Sequence, residues 1–133
     1  MPVTALYAGL LTLLFVGLSF RVIGVRRGAK ISVGDGDNGD LLRRIRVHGN
    51  FAEYVPLALV LIGLAESLKT DPRVLHGLGL ALVLGRICHA IGLSPKTSIL
   101  PLRAGGIVLT FIVLIAAAGA CILAAVQRGG LGL

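Results

Sequence analysis

Four stretches of this chain, about residues 3–25, 41–68, 72–93 and 103–126, run for about 20 residues or more with few charges. Each is long enough to cross a hydrocarbon core of about 30 Å. Lipid offers a backbone no hydrogen-bond partners, so an apolar segment of that length must satisfy its own N–H and C=O groups as a helix. The expected fold is an all-α integral membrane protein, a four-transmembrane-helix bundle, with residues 1–133 forming a single transmembrane domain. Composition agrees, at 56% hydrophobic and 14% charged residues, where soluble domains carry about a quarter charged.

The segments between the spans read as punctuation. Gly28 to Asp40 holds four glycines and three aspartates, a polar loop rather than an element. Lys69-Thr70-Asp71-Pro72 breaks the second span from the third, with Thr70 or Asp71 as a cap and Pro72 at a first helical position. Ser94 to Leu102 is a short loop containing Pro95 and Pro101. No positive residue precedes the first apolar run, and Arg21, Arg26, Arg27 and Lys30 follow it. That flank order predicts a retained helix rather than a cleaved leader. Cys88 and Cys121 stand alone in apolar runs, without CxxC or metal-ligand spacing, and read as packed, reduced thiols.

The net charge is +7, but the bases sit beside hydrophobic spans with no basic run interleaved with aromatics. Nucleic acid is therefore not an expected partner; anionic headgroups and anionic substrates are. The first and third loops with their helix ends carry ten bases: Arg21, Arg26, Arg27, Lys30, Arg43, Arg44, Arg46, Arg86, Lys96 and Arg103. The opposite side carries Lys69, Arg73 and Arg128. That asymmetry predicts both termini outside and the basic face cytoplasmic.

The second span carries polar residues where they are costly. Arg43, Arg46, Asn50 and Glu53 are spaced 3, 4 and 3, on one helical face. His48 points to nearly the opposite face. Two polar directions on one helix call for two sites, or one site shared between subunits. Arg86 and His89 of the third span and Arg103 of the fourth fall at the same level. Ionisable groups at membrane depth are usually functional. The bland alternative is an Arg46–Glu53 pair with Asn50 bridging helices. Against it, the cations Arg46, Arg86 and Arg103 outnumber the one acid, and guanidinium forks suit carboxylates.

Arg46-Val47-His48-Gly49-Asn50-Phe51-Ala52-Glu53-Tyr54-Val55-Pro56 resembles the R-x-x-x-N-x-x-E-x-x-P signature of the MAPEG family, the membrane-associated proteins of eicosanoid and glutathione metabolism. Val22-Ile23-Gly24-Val25-Arg26-Arg27, Gly85-Arg86-Ile87-Cys88-His89 and Arg103 extend the resemblance over nearly the whole chain, which looks closest to the compact bacterial members. The resemblance implies a homotrimer with glutathione, as co-substrate and without a metal, bound between adjacent subunits near the cytoplasmic face. It implies that Arg46, Asn50, Glu53, Tyr54 and Arg86 hold glutathione from one subunit, with His89 at a position that is a tyrosine in some members. It implies that Arg26, His48 and Arg103 reach the ligand from the neighbour. Glu53 would take the ligand's α-amino group and the arginines its carboxylates. Arg103 matches the arginine that keeps the thiol as thiolate.

The family function carried over is a glutathione-dependent transferase or peroxidase acting on lipophilic electrophiles in a cell's inner membrane, with a detoxifying role. The chain departs from the catalytic pattern at Leu93, where many members have tyrosine, and at His89. Two alternatives stand beside this expectation: a non-catalytic glutathione-binding or scaffold protein, and a small transporter with Glu53 as coupling carboxylate.

Overall fold

The computed structural model describes residues 1–129, in which four helices follow in order: α1 (Pro2–Ala29), α2 (Gly39–Ser67), α3 (Pro72–Leu93) and α4 (Leu100–Gln127). All four are long and apolar enough to cross a membrane, so the chain is a four-helix membrane bundle. Three ends differ from those read off the apolar runs by more than a single residue, and local chemistry explains each. α1 continues to Ala29, because Arg26 and Arg27 are tolerated in its last turn, where the helix dipole favours cations. α2 starts two residues early, because Asn38 caps it: its side-chain oxygen accepts from the N–H groups of Asp40 and Leu41, both at 3.0 Å. α4 takes in Leu100 to Leu102, since Pro101 lies in a first turn that needs no N–H from it. α3 has the expected bounds, with Asp71 accepting from Arg73 N–H at 2.7 Å and Pro72 entering the helix.

α2 and α3 form the middle of the bundle. α1 and α4 each pack against both and lie on opposite flanks, with no contact between them among the described residues. The core follows the helical period: Val47, Phe51, Val55, Ala58, Ile62 and Ala65 of α2 are buried, while Leu57, Val60 and Leu64 between them face outward. α3 and α4 approach most closely at glycines. A Cβ on Gly106 would meet the Gly85 carbonyl and the His89 backbone, and one on Gly92 would run into the Arg103 backbone. Small residues at such crossings let helices associate by close packing where lipid supplies no hydrophobic drive.

At the opposite end, α1 has no cap of its own. Glu66 supplies one from α2: its carboxylate oxygens accept from Val3 N–H at 3.0 Å and Thr4 N–H at 2.8 Å. These are orphan donors of the first turn, where a negative charge also meets the positive end of the dipole. Glu66→Ala should therefore lower the detergent melting temperature and speed amide exchange at Val3 and Thr4, and Glu66→Gln, which keeps one acceptor, should do so less. Unchanged exchange at both amides in Glu66→Ala would remove this role. Close by, Tyr7 donates its hydroxyl to the His76 carbonyl at 3.1 Å, so His76 belongs to the packing of this end.

Candidate functional site

α2 runs through Pro56 without ending, so the residues of its polar half keep helical register. Asn50 faces inward across the bundle. Arg86 of α3 is buried, 2% exposed, and gathers the groups around it. Its Nη1 donates to Asn50 Oδ1 at 2.7 Å. Its Nη2 donates to Thr110 Oγ1 of α4 at 2.6 Å and to the Gly106 carbonyl at 3.3 Å. Thr110 in turn donates to the Gly106 carbonyl at 2.8 Å, leaving its lone pairs for Arg86. The Tyr54 ring centre lies 5.8 Å from the guanidinium carbon, and Tyr54 meets Phe111 edge-on at 5.5 Å. Among the described residues, no carboxylate lies within 4 Å of Arg86. Its partners are all neutral, so a full positive charge is held inside an apolar bundle by dipoles alone. Asn50 gives its oxygen to Arg86, and its NH2 keeps both donors for another partner.

His89, one turn along α3 and 4% exposed, touches the start of α4. Its Nδ1 lies 3.2 Å from the Arg103 carbonyl. A carbonyl only accepts, so Nδ1 carries the proton. The other nitrogen, Nε2, is buried without a partner among the described residues. Arg103 thus joins the site through its backbone, while its side chain stands exposed at the start of α4. Arg46 and Glu53 flank Asn50 on the outward side of α2, 4.0 Å apart with their side chains 59% and 53% exposed. A pair so open and so long contributes little to stability, and both groups stay free to reorganise around a ligand.

Two candidates lie elsewhere in the protomer. His48 faces α1: its ring stacks on Phe15 at 4.5 Å, and its Nε2 lies 3.0 Å from Ser19 Oγ. Ser19 donates its own proton to the Phe15 carbonyl at 2.9 Å, so His48 Nε2 is the donor. Arg26 closes the first loop through Nη1, 2.8 Å from the Gly34 carbonyl. The bundle therefore brings together Asn50, Tyr54, Arg86 and, through the α4 backbone, His89 and Arg103. It sets Arg46 and Glu53 at the rim of that cluster, and it leaves His48 against α1 and Arg26, in the last turn of α1, on the first loop.

This arrangement of an Arg-x-x-x-Asn-x-x-Glu helix over a buried arginine of the next helix coincides with a match to the model of the MAPEG family over residues 4–123. The chain belongs to the MAPEG family. It is also 39% identical over 90 residues to the protein called Inner membrane protein YecN in Escherichia coli K12, covering 68% of this chain and 69% of that one. The YecN protein of Escherichia coli O6:H1 matches to the same extent.

Within this MAPEG chain, two side chains that hold candidate residues in place were not among those expected from sequence. Thr110 is the buried acceptor for Arg86, and its signal is a lone hydroxyl in a span otherwise apolar, four residues after a glycine that lets α3 approach. Ser19, the partner of His48, is likewise a lone serine in the first span. Neither is distinctive alone, because the hydrogen bond that gives it meaning comes from a different helix.

Proposed function

We propose that this MAPEG protein is a membrane-embedded glutathione-dependent transferase or peroxidase, multi-pass in a bacterial-type inner membrane, whose sites lie between the subunits of a homotrimer near the cytoplasmic face. The observation that carries this reading is the buried Arg86 cation without a carboxylate. Desolvated charge is costly unless paired, and neutral hydrogen bonds offset that cost only in part. An anionic ligand with a carboxylate would complete the site by meeting Arg86, the free NH2 of Asn50 and the Tyr54 hydroxyl. Arg46 at the rim suits a second carboxylate, and Glu53 suits an α-amino group. Glutathione has two carboxylates, one amine and one thiol, which matches this set.

Chemistry then requires the thiolate. A cysteine-type thiol near pKa 8.5 is mostly protonated at neutral pH, and an adjacent guanidinium favours the anion. In the transferase reaction the thiolate sulfur bonds to an electrophilic carbon as the leaving group departs with its electron pair. In the peroxidase reaction it attacks the terminal oxygen of a hydroperoxide. The O–O bond breaks to give an alcohol, and a second glutathione reduces the sulfenic acid to disulfide and water. The bilayer concentrates lipophilic electrophiles beside a thiolate held at headgroup depth. A second reading, a glutathione-binding protein without turnover, is favoured by Leu93 and by the engagement of His89 Nδ1 with the Arg103 backbone, which removes one hydroxyl and one donor from the thiol's surroundings.

Calorimetric titration of the protein in nanodiscs with glutathione decides whether the site exists; saturable binding at or below millimolar concentration is expected. Absence of binding there rejects both readings. Binding without turnover of an aryl halide or a lipid hydroperoxide selects the second.

A further inference from the structure

A cavity of about 610 Å³ opens between α1 and α3, on a different face of α3 from Arg86. Its walls are apolar, with Leu14 and Leu18 on one side and Ile87 and Ile91 on the other. Gly17 lines it too, and a Cβ there would meet nothing within 4 Å. At one end stand Arg21 and Ser94, where Arg21 Nη2 donates to Ser94 Oγ at 3.0 Å. The volume is that of a small-molecule site, for which about 300–1,000 Å³ is typical. From Leu14 to Arg21 the groove follows α1 for about 10 Å, most of the roughly 15 Å that one leaflet's chains fill.

The charge at the mouth is unmatched. Among the described residues no carboxylate lies within 4 Å of Arg21. The neighbouring acid, Asp40, is held by Arg44 at 2.9 Å and Arg43 at 3.5 Å. Arg44 Nη1 also donates to the Arg21 carbonyl at 3.3 Å, bringing a second guanidinium to the mouth. The five remaining acids lie elsewhere or are engaged: Glu53 beside Arg46, Glu66 capping α1, Asp71 capping α3, and Asp35 with Asp37 in the first loop. A second copy of this chain, with its own surplus of bases at this level, would set cation against cation here.

We propose that the groove between α1 and α3 holds one acyl chain of an anionic glycerophospholipid, with the lipid phosphate on Arg21; Ser94, whose own hydroxyl donates to the Ala90 carbonyl, positions that guanidinium. The guanidinium keeps most of its five N–H donors for phosphate oxygens. The chain lies between Leu14, Leu18, Ile87 and Ile91, filling space that no side chain of the protomer occupies. The bound lipid acts as mortar between α1 and α3, and its selectivity comes from headgroup charge rather than from the acyl chain.

The test is native mass spectrometry of protein released from nanodiscs containing equal phosphatidylglycerol and phosphatidylcholine. The unmodified protein should retain phosphatidylglycerol at least fivefold over phosphatidylcholine, at one molecule per chain. Arg21→Gln should erase that preference. Gly17→Leu, which fills the groove without touching a charge, should reduce retention of both lipids, with helix content by circular dichroism unchanged. Equal retention of the two lipids by the unmodified protein overturns the proposal by itself, whatever the variants do. So does Gly17→Leu leaving lipid retention intact while changing the oligomer mass, which would place a second copy over the groove.

Discussion

Arg86→Met should abolish measurable glutathione binding and leave the ligand-free protein no less stable. Most buried arginines would behave in the opposite way on the second count. Removing one partner of a buried ion pair strands the other charge and costs about 3–5 kcal/mol. Among the described residues Arg86 has no carboxylate to strand. Its acceptors are Asn50, Thr110 and the Gly106 carbonyl, and all are neutral. After the change Thr110 keeps its own bond to Gly106, and Asn50, partly exposed, can take water. The desolvation cost of a lone cation disappears at the same time, and methionine fills the space with an adaptable apolar chain. Under the proposed function the ligand carboxylate loses its buried counter-ion, a loss of about 2–4 kcal/mol, or roughly 30- to 700-fold in affinity. Detergent melting curves and calorimetry on the same preparation check both halves. A melting temperature lowered by many degrees would make Arg86 an internal strut. Undiminished binding would remove it from the ligand.

The contrast between Arg86 and Arg46 shows how far the sequence could be read. Hydropathy and span length sufficed for the fold, because lipid leaves a long apolar segment one backbone solution. The helix ends moved by a few residues, since caps such as Asn38 lie outside the apolar runs and are recognised by geometry rather than by hydropathy. In the site, the spacing of Arg46, Asn50 and Glu53 gave their relative directions about α2 but not which neighbour stood in each direction. In the bundle Asn50 turns to Arg86, whereas Arg46 and Glu53 open outward. His48 does point away from Arg46, and within the protomer it meets Ser19 and Phe15.

The glycines illustrate the same limit. The chain has 19, and small residues in spans signal close helix crossings only where another helix is present. Gly9, Gly17 and Gly24 of α1 face open space, whereas Gly85, Gly92 and Gly106 hold α3 against α4. That crossing brings the Gly106 carbonyl and Thr110 within reach of Arg86 and sets the Arg103 backbone on His89. The position of the cluster thus depends on a contact between helices that periodicity along either one does not encode.

Arg103→Leu should remove the thiolate from bound glutathione while leaving most of the binding. The backbone of Arg103 is fixed: His89 holds its carbonyl, and Gly92 lets α3 press against it. Only the side chain is free, exposed on the protomer. A guanidinium in open water shifts a neighbouring thiol little, because the solvent screens it. Its full effect therefore requires cover from the adjacent subunit or from the ligand itself, as the proposed intersubunit site provides. With that cover, lowering the thiol pKa by two units corresponds to about 2.7 kcal/mol of preference for the anion, a reasonable contribution from one desolvated cation. The folded complex then carries thiolate ultraviolet absorbance near neutral pH, where free glutathione shows little, and Arg103→Leu loses it. Under the proposed function binding survives, because Arg86, Asn50 and Arg46 would address the carboxylates at other atoms. Arg103→Lys should keep part of the absorbance, since the point charge remains but the planar donor fork does not. If Arg103 instead only reaches up to the headgroups, the leucine variant will match the unmodified protein in absorbance and turnover. The thiol would then have no activating cation, and glutathione binding without catalysis becomes the function of the site.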